Sequence, residues 1–217
     1  MSRVLCQQCQ RPEKACICTF TVHIDNDIPV LVLQHPSEVK QSKGTVSLLQ
    51  QSLSQCQVIV GEDFTDNEIL ARYFTRYADS IALLYPSEQA LALNVSLPVV
   101  NSKLATEPDE NNQNNENEAN KLNEIKCIII LDGTWKKAYR MYMLNPNLHT
   151  INHIALPQGI ESLYQIRKTK KDGALSSLEA CCHALARLED KPQKYQILLN
   201  SFIQFNQFQQ SFNESMQ

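Results

Sequence analysis

Short apolar runs alternate with helix-like segments along most of this chain, and this alternation is the strongest constraint on its fold. Five short runs bounded by turn residues predict buried strands: Pro29 to Leu33, Gln57 to Val60, Ser80 to Tyr85, Lys126 to Leu131 and His153 to Leu156. Helical spacing of apolar residues predicts helices over Gln41 to Ser54, Asp66 to Tyr77, Trp135 to Leu144, Ser176 to Leu188 and Lys194 to Phe208. The alternation predicts an α/β fold with a largely parallel sheet flanked by helices.

Composition sets one segment apart from the rest of the chain. The 217 residues, 43% of them apolar, are enough for one sizeable core. The Asn-rich stretch 101–124 carries six acidic and two basic residues without apolar periodicity, and it is predicted to be a disordered insertion.

No run approaches the roughly 18 apolar residues of a membrane span, and the N-terminus lacks the apolar stretch of a signal peptide. We therefore expect a cytoplasmic protein without a membrane-spanning segment.

Cysteine spacing points to a metal site near the N-terminus. Cys6, Cys9, Cys16 and Cys18 fall within thirteen residues as C-x2-C-x6-C-x-C. Four thiolates this close can enclose a tetrahedral zinc ion, so we predict a structural zinc arm over 1–24 and a main domain over 25–217. The alternative, four free surface thiols, is an oxidation liability. The remaining cysteines lie in or beside apolar segments and are predicted to be core residues: Cys56, Cys127, Cys181 and Cys182.

Polar and turn-forming residues follow four of the predicted strands, and ligands of parallel α/β sheets bind at the carboxyl ends of strands. After the fourth strand the chain reads Asp132-Gly133-Thr134-Trp135. Gly133 permits a tight turn, and a carboxylate at this place is a candidate general base towards a bound substrate. The alternative interpretation makes Asp132 or Thr134 a helix N-cap and Trp135 a core residue. The sequence leaves both open.

Three further segments carry candidate site residues. His35, Ser37, Glu38 and Lys40 cluster after the first strand, where His35 alternatively satisfies a loop carbonyl. Ser176 and Glu179 have the spacing of a capping box. A basic run is either a solvated face or a phosphate-binding strip. It comprises Arg167, Lys168, Lys170 and Lys171.

Six sequence blocks in order resemble the DTW-domain family over nearly the whole chain. They are C-x2-C-x-R-P-x3-C-x-C near the start, HPSE-x-K, YPSE, DGTW, YQIRK and LSSLEA. The family signature D-x-T-W is present as Asp132, Thr134 and Trp135. Two positions depart from the common pattern: KGTVS surrounds Gly44 where many relatives have a TGR-like sequence, and Ser177 stands where threonine is common.

The resemblance implies a SPOUT-like fold with a C-terminal trefoil knot and the activity of the tRNA-uridine aminocarboxypropyltransferases. Such an enzyme moves the 3-amino-3-carboxypropyl group of S-adenosyl-L-methionine to N3 of a uridine in the tRNA variable loop and releases methylthioadenosine. The implied catalytic residues are Asp132, Thr134 and Trp135. The predicted donor-binding residues are Tyr85, Pro86, Ser87, Leu131, Gly133, Leu156 and Tyr164.

The implied partners are tRNA and S-adenosyl-L-methionine, with zinc as a structural metal and a monomer as the expected state. With a formal net charge of -3, RNA binding is expected to be local rather than spread over the surface. The predicted RNA-binding residues are Arg11, Lys14, His35, Lys40, Lys136, Lys137, Arg140, Arg167, Lys168, Lys170 and Lys171. Two alternatives stay open: a SPOUT-like RNA methyltransferase that uses the same donor, and a non-catalytic zinc-containing RNA-binding module.

Overall fold

A six-stranded parallel sheet forms the centre of the protein in a computed structural model, which describes residues 4–41, 44–93, 120–163 and 175–214. The strands are β1 (Val30–Gln34), β2 (Cys56–Val60), β3 (Ile81–Leu84), β4 (Leu91–Ala92), β5 (Cys127–Asp132) and β6 (Asn152–Ala155). Their order across the sheet is β2-β1-β5-β3-β6-β4, and every neighbouring pair is parallel. The predicted α/β fold with a parallel sheet is thereby confirmed.

Helices cover both faces of this sheet. They are α1 (Val46–Ser52), α2 (Glu68–Tyr77), α3 (Trp135–Leu144), α4 (Ser177–Leu188) and α5 (Pro192–Glu214). One core layer joins Val30 and Val32 of β1 to α1, α4 and α5, and the other joins Leu31 and Leu33 to α2 and α3. Because both faces of the inner strands are buried, these strands read as continuous apolar runs.

Most element boundaries differ from the predictions by one or two residues, and larger differences occur in the first and last helices. The helix predicted from Gln41 begins at Val46, because Gly44 is a poor helix former and the chain first makes a short 3-10 helix at Pro36–Glu38. The last helix begins at Pro192, since proline is tolerated in the first turn of a helix. The two-residue strand β4 was not predicted, although it lies in the short apolar run 90–93.

The N-terminal segment packs on the layer of α1 and α5. Ile17 and Ile24 are buried in the same core cluster as these helices. The Phe20 ring lies 5.9 Å from Phe205 and 5.2 Å from Phe208, centroid to centroid. The apolar contacts of 17–24 therefore hold the cysteine-rich start of the chain against the C-terminal helix.

Two predictions fall wholly or largely outside the described residues. Residues 94–119, which include most of the predicted insertion, are not described. Its last part is corrected, because residues 120–123 form a helical turn and Leu122 is buried in the core. The C-terminal knot stays a prediction, since the path of the chain through 164–174 is also outside the described residues.

Within the ranges that the structure describes, no helix is both long enough and apolar enough to cross a membrane.

Candidate functional site

A cavity of about 420 Å³ opens at the carboxyl edge of the sheet. Its walls are the exits of β3, β5 and β6 and the first turns of α3 and α4. The lining is mostly apolar, with a few hydroxyl and amide groups, and small-molecule pockets of this kind measure roughly 300–1,000 Å³. Seven residues predicted from the sequence line it: Tyr85, Pro86, Leu131, Gly133, Thr134, Trp135 and Leu156.

Asp132, the last residue of β5, is not itself among the residues that line this cavity, but it lies at the cavity edge between two residues that do, Leu131 and Gly133. Its Oδ2 accepts a hydrogen bond from Gln34 Nε2 at 3.0 Å, and its Oδ1 accepts one from Ser177 Oγ at 2.6 Å. Ser177 lines the cavity, whereas Gln34 is the buried last residue of β1. Each carboxylate oxygen keeps a further lone pair for another donor. The carboxylate thus joins the exits of two strands to the start of α4.

The turn after Asp132 sets the start of α3. Thr134 is the N-cap residue, and its side chain accepts a hydrogen bond from the backbone N–H of Lys137. A Cβ atom at Gly133 would lie 3.0 Å from Lys137 Cβ, so the close approach of α3 favours glycine there. The N-cap alternative is confirmed for Thr134. The core alternative for Trp135 is wrong, because this side chain is 47% exposed beside the cavity.

A buried carboxylate holds another wall of the cavity. Ser176 and Glu179 form the predicted capping box at the start of α4. Glu179, which is fully buried, also accepts hydrogen bonds from Ser162 Oγ at 3.0 Å and from the backbone N–H of Leu163 at 2.5 Å. These bonds compensate the burial of its charge. They also tie the segment that follows β6 to α4, and this segment includes the cavity-lining residues 156–160.

The β3 exit is held by a histidine that the sequence analysis did not select. Nε2 of the buried His153 donates to the carbonyl of Leu148 at 2.8 Å, so its Nδ1 accepts from the Ser87 hydroxyl at 2.7 Å. Ser87 is therefore an anchor of the loop, and it is not among the residues that line the cavity. Burial raises the pKa of the Tyr85 phenol, which keeps this lining residue a neutral hydroxyl. Tyr164 lies outside the described residues.

Comparison with known protein families identifies the family of this chain. The family model described as the DTW domain matches residues 3–210. The chain belongs to the DTW-domain family. Within the family signature, Asp132 provides the carboxylate at the cavity edge, Thr134 caps α3, and Trp135 forms part of the cavity lip.

Curated DTW relatives share a name that refers to tRNA modification. A Drosophila melanogaster protein named tRNA-uridine aminocarboxypropyltransferase 2 is 30% identical over 200 residues, which cover 89% of this chain and 70% of the relative. Proteins of the same name from Macaca fascicularis and Mus musculus are 28% and 26% identical. The aligned residues cover 85% of this chain but only 56% of each of these two proteins. No solved structure matches the chain.

The four cysteines predicted to bind metal form a cluster that could hold an ion. Their Sγ atoms all lie within 4.8 Å of one another. The Sγ atoms of Cys6 and Cys18 are 3.6 Å apart, and those of Cys9 and Cys16 are 3.8 Å apart. A tetrahedral site with Zn–S bonds of about 2.3 Å has S···S distances of about 3.8 Å. The cluster therefore fits a tetrahedral metal ion with a full set of protein ligands.

Three residues predicted to bind RNA belong to a polar network between β1 and α3. Lys137 Nζ donates to Ser37 Oγ at 2.6 Å and to Glu38 Oε1 at 2.7 Å. His35 Nδ1 accepts from Ser37, so its Nε2 donates to Glu62 Oε1 at 2.9 Å. Glu62 also pairs with Arg140 at 2.8 Å. A role in RNA binding for His35, Lys137 and Arg140 stays a prediction.

The other predicted RNA-binding residues are dispersed. Arg11 is half-buried and donates to the carbonyl of Gly44 at 3.4 Å. Lys14, Lys40 and Lys136 are exposed. Four basic residues lie outside the described part of the chain: Arg167, Lys168, Lys170 and Lys171.

Sequence reasoning missed three polar residues that build this site. Gln34 and Glu62 are in contact with residues distant in sequence, and their partners follow no local pattern. Position was the one sequence signal that could have identified Gln34 as a site residue, because it is a polar residue at the end of an apolar strand. His153 was placed inside a predicted strand, and its hydrogen bonds were not foreseen.

Proposed function

We propose that this protein transfers the 3-amino-3-carboxypropyl group of S-adenosyl-L-methionine to N3 of a uridine in the variable loop of tRNA. The observation that carries the proposal is the placement of Asp132, the carboxylate of the D-x-T-W signature, at the edge of a cavity sized for a small molecule. The names of the curated DTW relatives supply the reaction class. Since the chain spans just over half of the two mammalian relatives, the activity is proposed rather than transferred from them.

The cavity residues fit the proposed donor in polarity as well as in size. Apolar side chains from β3, β5 and β6 form most of the walls and would exclude water from a reactive group. The first turns of α3 and α4 both open on the cavity, and the positive ends of helix dipoles stabilise a carboxylate such as that of the donor. Hydroxyl groups of Thr134 and Ser177 offer hydrogen bonds in the same region.

We assign Asp132 as the general base for the target uridine. S-adenosyl-L-methionine, when bound, supplies a sulfonium-activated γ-carbon with methylthioadenosine as the leaving group. Transfer forms the bond from uridine N3 to this carbon and breaks the carbon–sulfur bond, and the N3 proton must go to a base. Asp132 accepts a hydrogen bond from the N3–H group, which orients the uracil, and then takes that proton. Gln34 and Ser177 hold the carboxylate for this task.

Zinc is the metal that we assign to the cysteine cluster. Four thiolates leave no open coordination position, and a closed set of this kind is typical of structural rather than catalytic zinc. The ion would tie the N-terminal residues to the segment 17–24, which packs on α1 and α5. Its proposed contribution is therefore to stability.

The by-product of the reaction tests the proposed function. Purified protein incubated with unmodified tRNA and S-adenosyl-L-methionine should release methylthioadenosine, detected by chromatography, and the release should require tRNA. Release of S-adenosylhomocysteine instead would identify a methyltransferase and contradict the proposal. No consumption of the donor, despite tight tRNA binding, would contradict it in favour of a binding module.

A further inference from the structure

Helix α3 exposes a row of large side chains beside the cavity. Trp135, Tyr139 and Met143 are 47%, 57% and 51% exposed, and Tyr142 is half-buried. These four positions share one side of the helix, and we name them the α3 stripe. Single exposed apolar residues are common on protein surfaces, whereas a contiguous row of this kind marks an interaction site.

Core contacts anchor helix α3, and ring contacts hold the Tyr142 side chain of the stripe. Ala138 and Met141 anchor the opposite side of the helix in the core. The Tyr142 ring stacks on Tyr85, with centroids 4.8 Å apart and planes inclined by 15°, and it also contacts His149 at 4.2 Å. A helix rises about 1.5 Å per residue, so the stripe is about 12 Å long. An anchored helix presents its side chains from a set position, which lowers the entropic cost of binding a ligand.

The stripe begins at the cavity. Trp135 and Tyr85 line the cavity, and Tyr139 and Met143 continue from Trp135 along the outer surface of the helix. A substrate whose reactive base enters the cavity would therefore place its neighbouring groups along these side chains. Tyr139 itself does not line the cavity.

The charged residues along α3 indicate which kind of substrate the stripe binds. Lys136 and Arg140 lie one position after Trp135 and Tyr139 and form a basic row beside the stripe. The helix sequence WKKAYRMYML contains no acidic residue. Lys136 is exposed and forms no ion pair with any described residue, while Arg140 pairs with Glu62. An aromatic row beside a basic row is the arrangement by which proteins stack the bases of single-stranded nucleic acid and contact its phosphates.

We propose that the α3 stripe is a stacking platform for the unpaired bases that flank the target uridine, with Lys136 in contact with the RNA backbone. The proposal rests on the proposed function for the identity of the RNA. The partner is an unpaired segment of RNA, because its flat bases match the exposed aromatic side chains and its phosphates match the basic row beside them.

The test measures the dissociation constant for unmodified tRNA without donor, at several salt concentrations. Tyr139→Ala should weaken binding by about 5- to 100-fold, because stacking of one base contributes this much. The salt dependence should keep its slope, since no phosphate contact is lost. Tyr139→Phe should bind like the parent protein. Ile197→Ala, an exposed apolar site on α5 in the other helical layer, is the matched control and should also bind normally.

Lys136→Gln tests the proposed phosphate contact, as Tyr139→Ala tests stacking. Loss of one phosphate contact should weaken binding and reduce the magnitude of the slope of log affinity against log salt by about one. Tyr139→Ala affinity equal to that of the parent would overturn the platform. A dimer that Tyr139→Ala converts to a monomer in light scattering would also overturn it, because the stripe would then be an interface between copies.

Failure of the platform and failure of the proposed function are distinguishable, because binding is measured without the donor. Tyr139-dependent tRNA binding in a protein that releases no methylthioadenosine would support the platform and contradict the transferase. Normal transfer together with unchanged binding by Tyr139→Ala would contradict the platform alone.

Discussion

Asp132→Asn is expected to lower the rate of transfer by about 10²- to 10⁴-fold, the usual contribution of a general base. Asparagine keeps the size of the side chain and one acceptor oxygen, but it cannot take a proton from uridine N3. Its NH₂ group would also face one of the two donors, Gln34 Nε2 or Ser177 Oγ, that now hold the carboxylate. The measurement is a single-turnover rate with saturating donor and tRNA.

Ser177→Ala is the control for this variant. It removes the 2.6 Å hydrogen bond to Asp132 but leaves the carboxylate and its bond from Gln34. We expect a smaller loss of rate than for Asp132→Asn, and Ser177→Thr should restore activity because it restores the hydroxyl. Thermal unfolding should show that Asp132→Asn remains folded. A folded Asp132→Asn protein with the parent rate would remove Asp132 from the chemistry.

Loss of the metal site is expected to have the largest effect on stability. Structural zinc in small peptides contributes about 10–16 kcal/mol of apparent binding free energy, which is comparable to the total stability of a domain. Cys16→Ser should therefore lower the free energy of unfolding by at least about 3 kcal/mol. Chemical denaturation measures this loss, and a colorimetric chelator assay measures the zinc content of the purified protein.

Cys56→Ser is the matched control for the zinc prediction. Cys56 lies on β2 outside the cluster, and burial raises the pKa of its thiol to about 12, so it remains protonated and is unsuited to metal binding. This variant should keep its zinc and lose little stability. Parent protein purified without metal, with Cys16→Ser as stable as Cys56→Ser, would contradict the zinc assignment.

The parts of the fold that sequence predicted well are those encoded by local patterns. The buried strands β1 and β5 are short apolar runs with turn residues after them, and their predicted ends differ from the observed ends by one residue. Helix α3 was predicted with both boundaries correct, because Trp135, Ala138, Tyr139 and Tyr142 repeat at helical spacing after the turn at Gly133. The capping box of Ser176 and Glu179 was likewise local.

The parts that sequence did not predict depend on contacts between distant residues. The order of strands places β5 between β1 and β3, and this order brings Gln34 to Asp132 across 98 positions of sequence. Glu179 was explained by its capping role alone, yet it also holds Ser162 and Leu163. The exposure of Trp135 was equally invisible, since an aromatic residue at helical spacing is typical of a core.

The most direct test of the proposed transfer follows the two transferable groups of the donor into RNA. Unmodified tRNA would be incubated with the protein and S-adenosyl-L-methionine labelled at the methyl group in one sample and at the carboxyl carbon in another. We expect carboxyl label in a modified uridine and no methyl label in RNA, and Asp132→Asn should suppress the incorporation of carboxyl label. Methyl label in tRNA, or the absence of carboxyl label from tRNA, would contradict aminocarboxypropyl transfer.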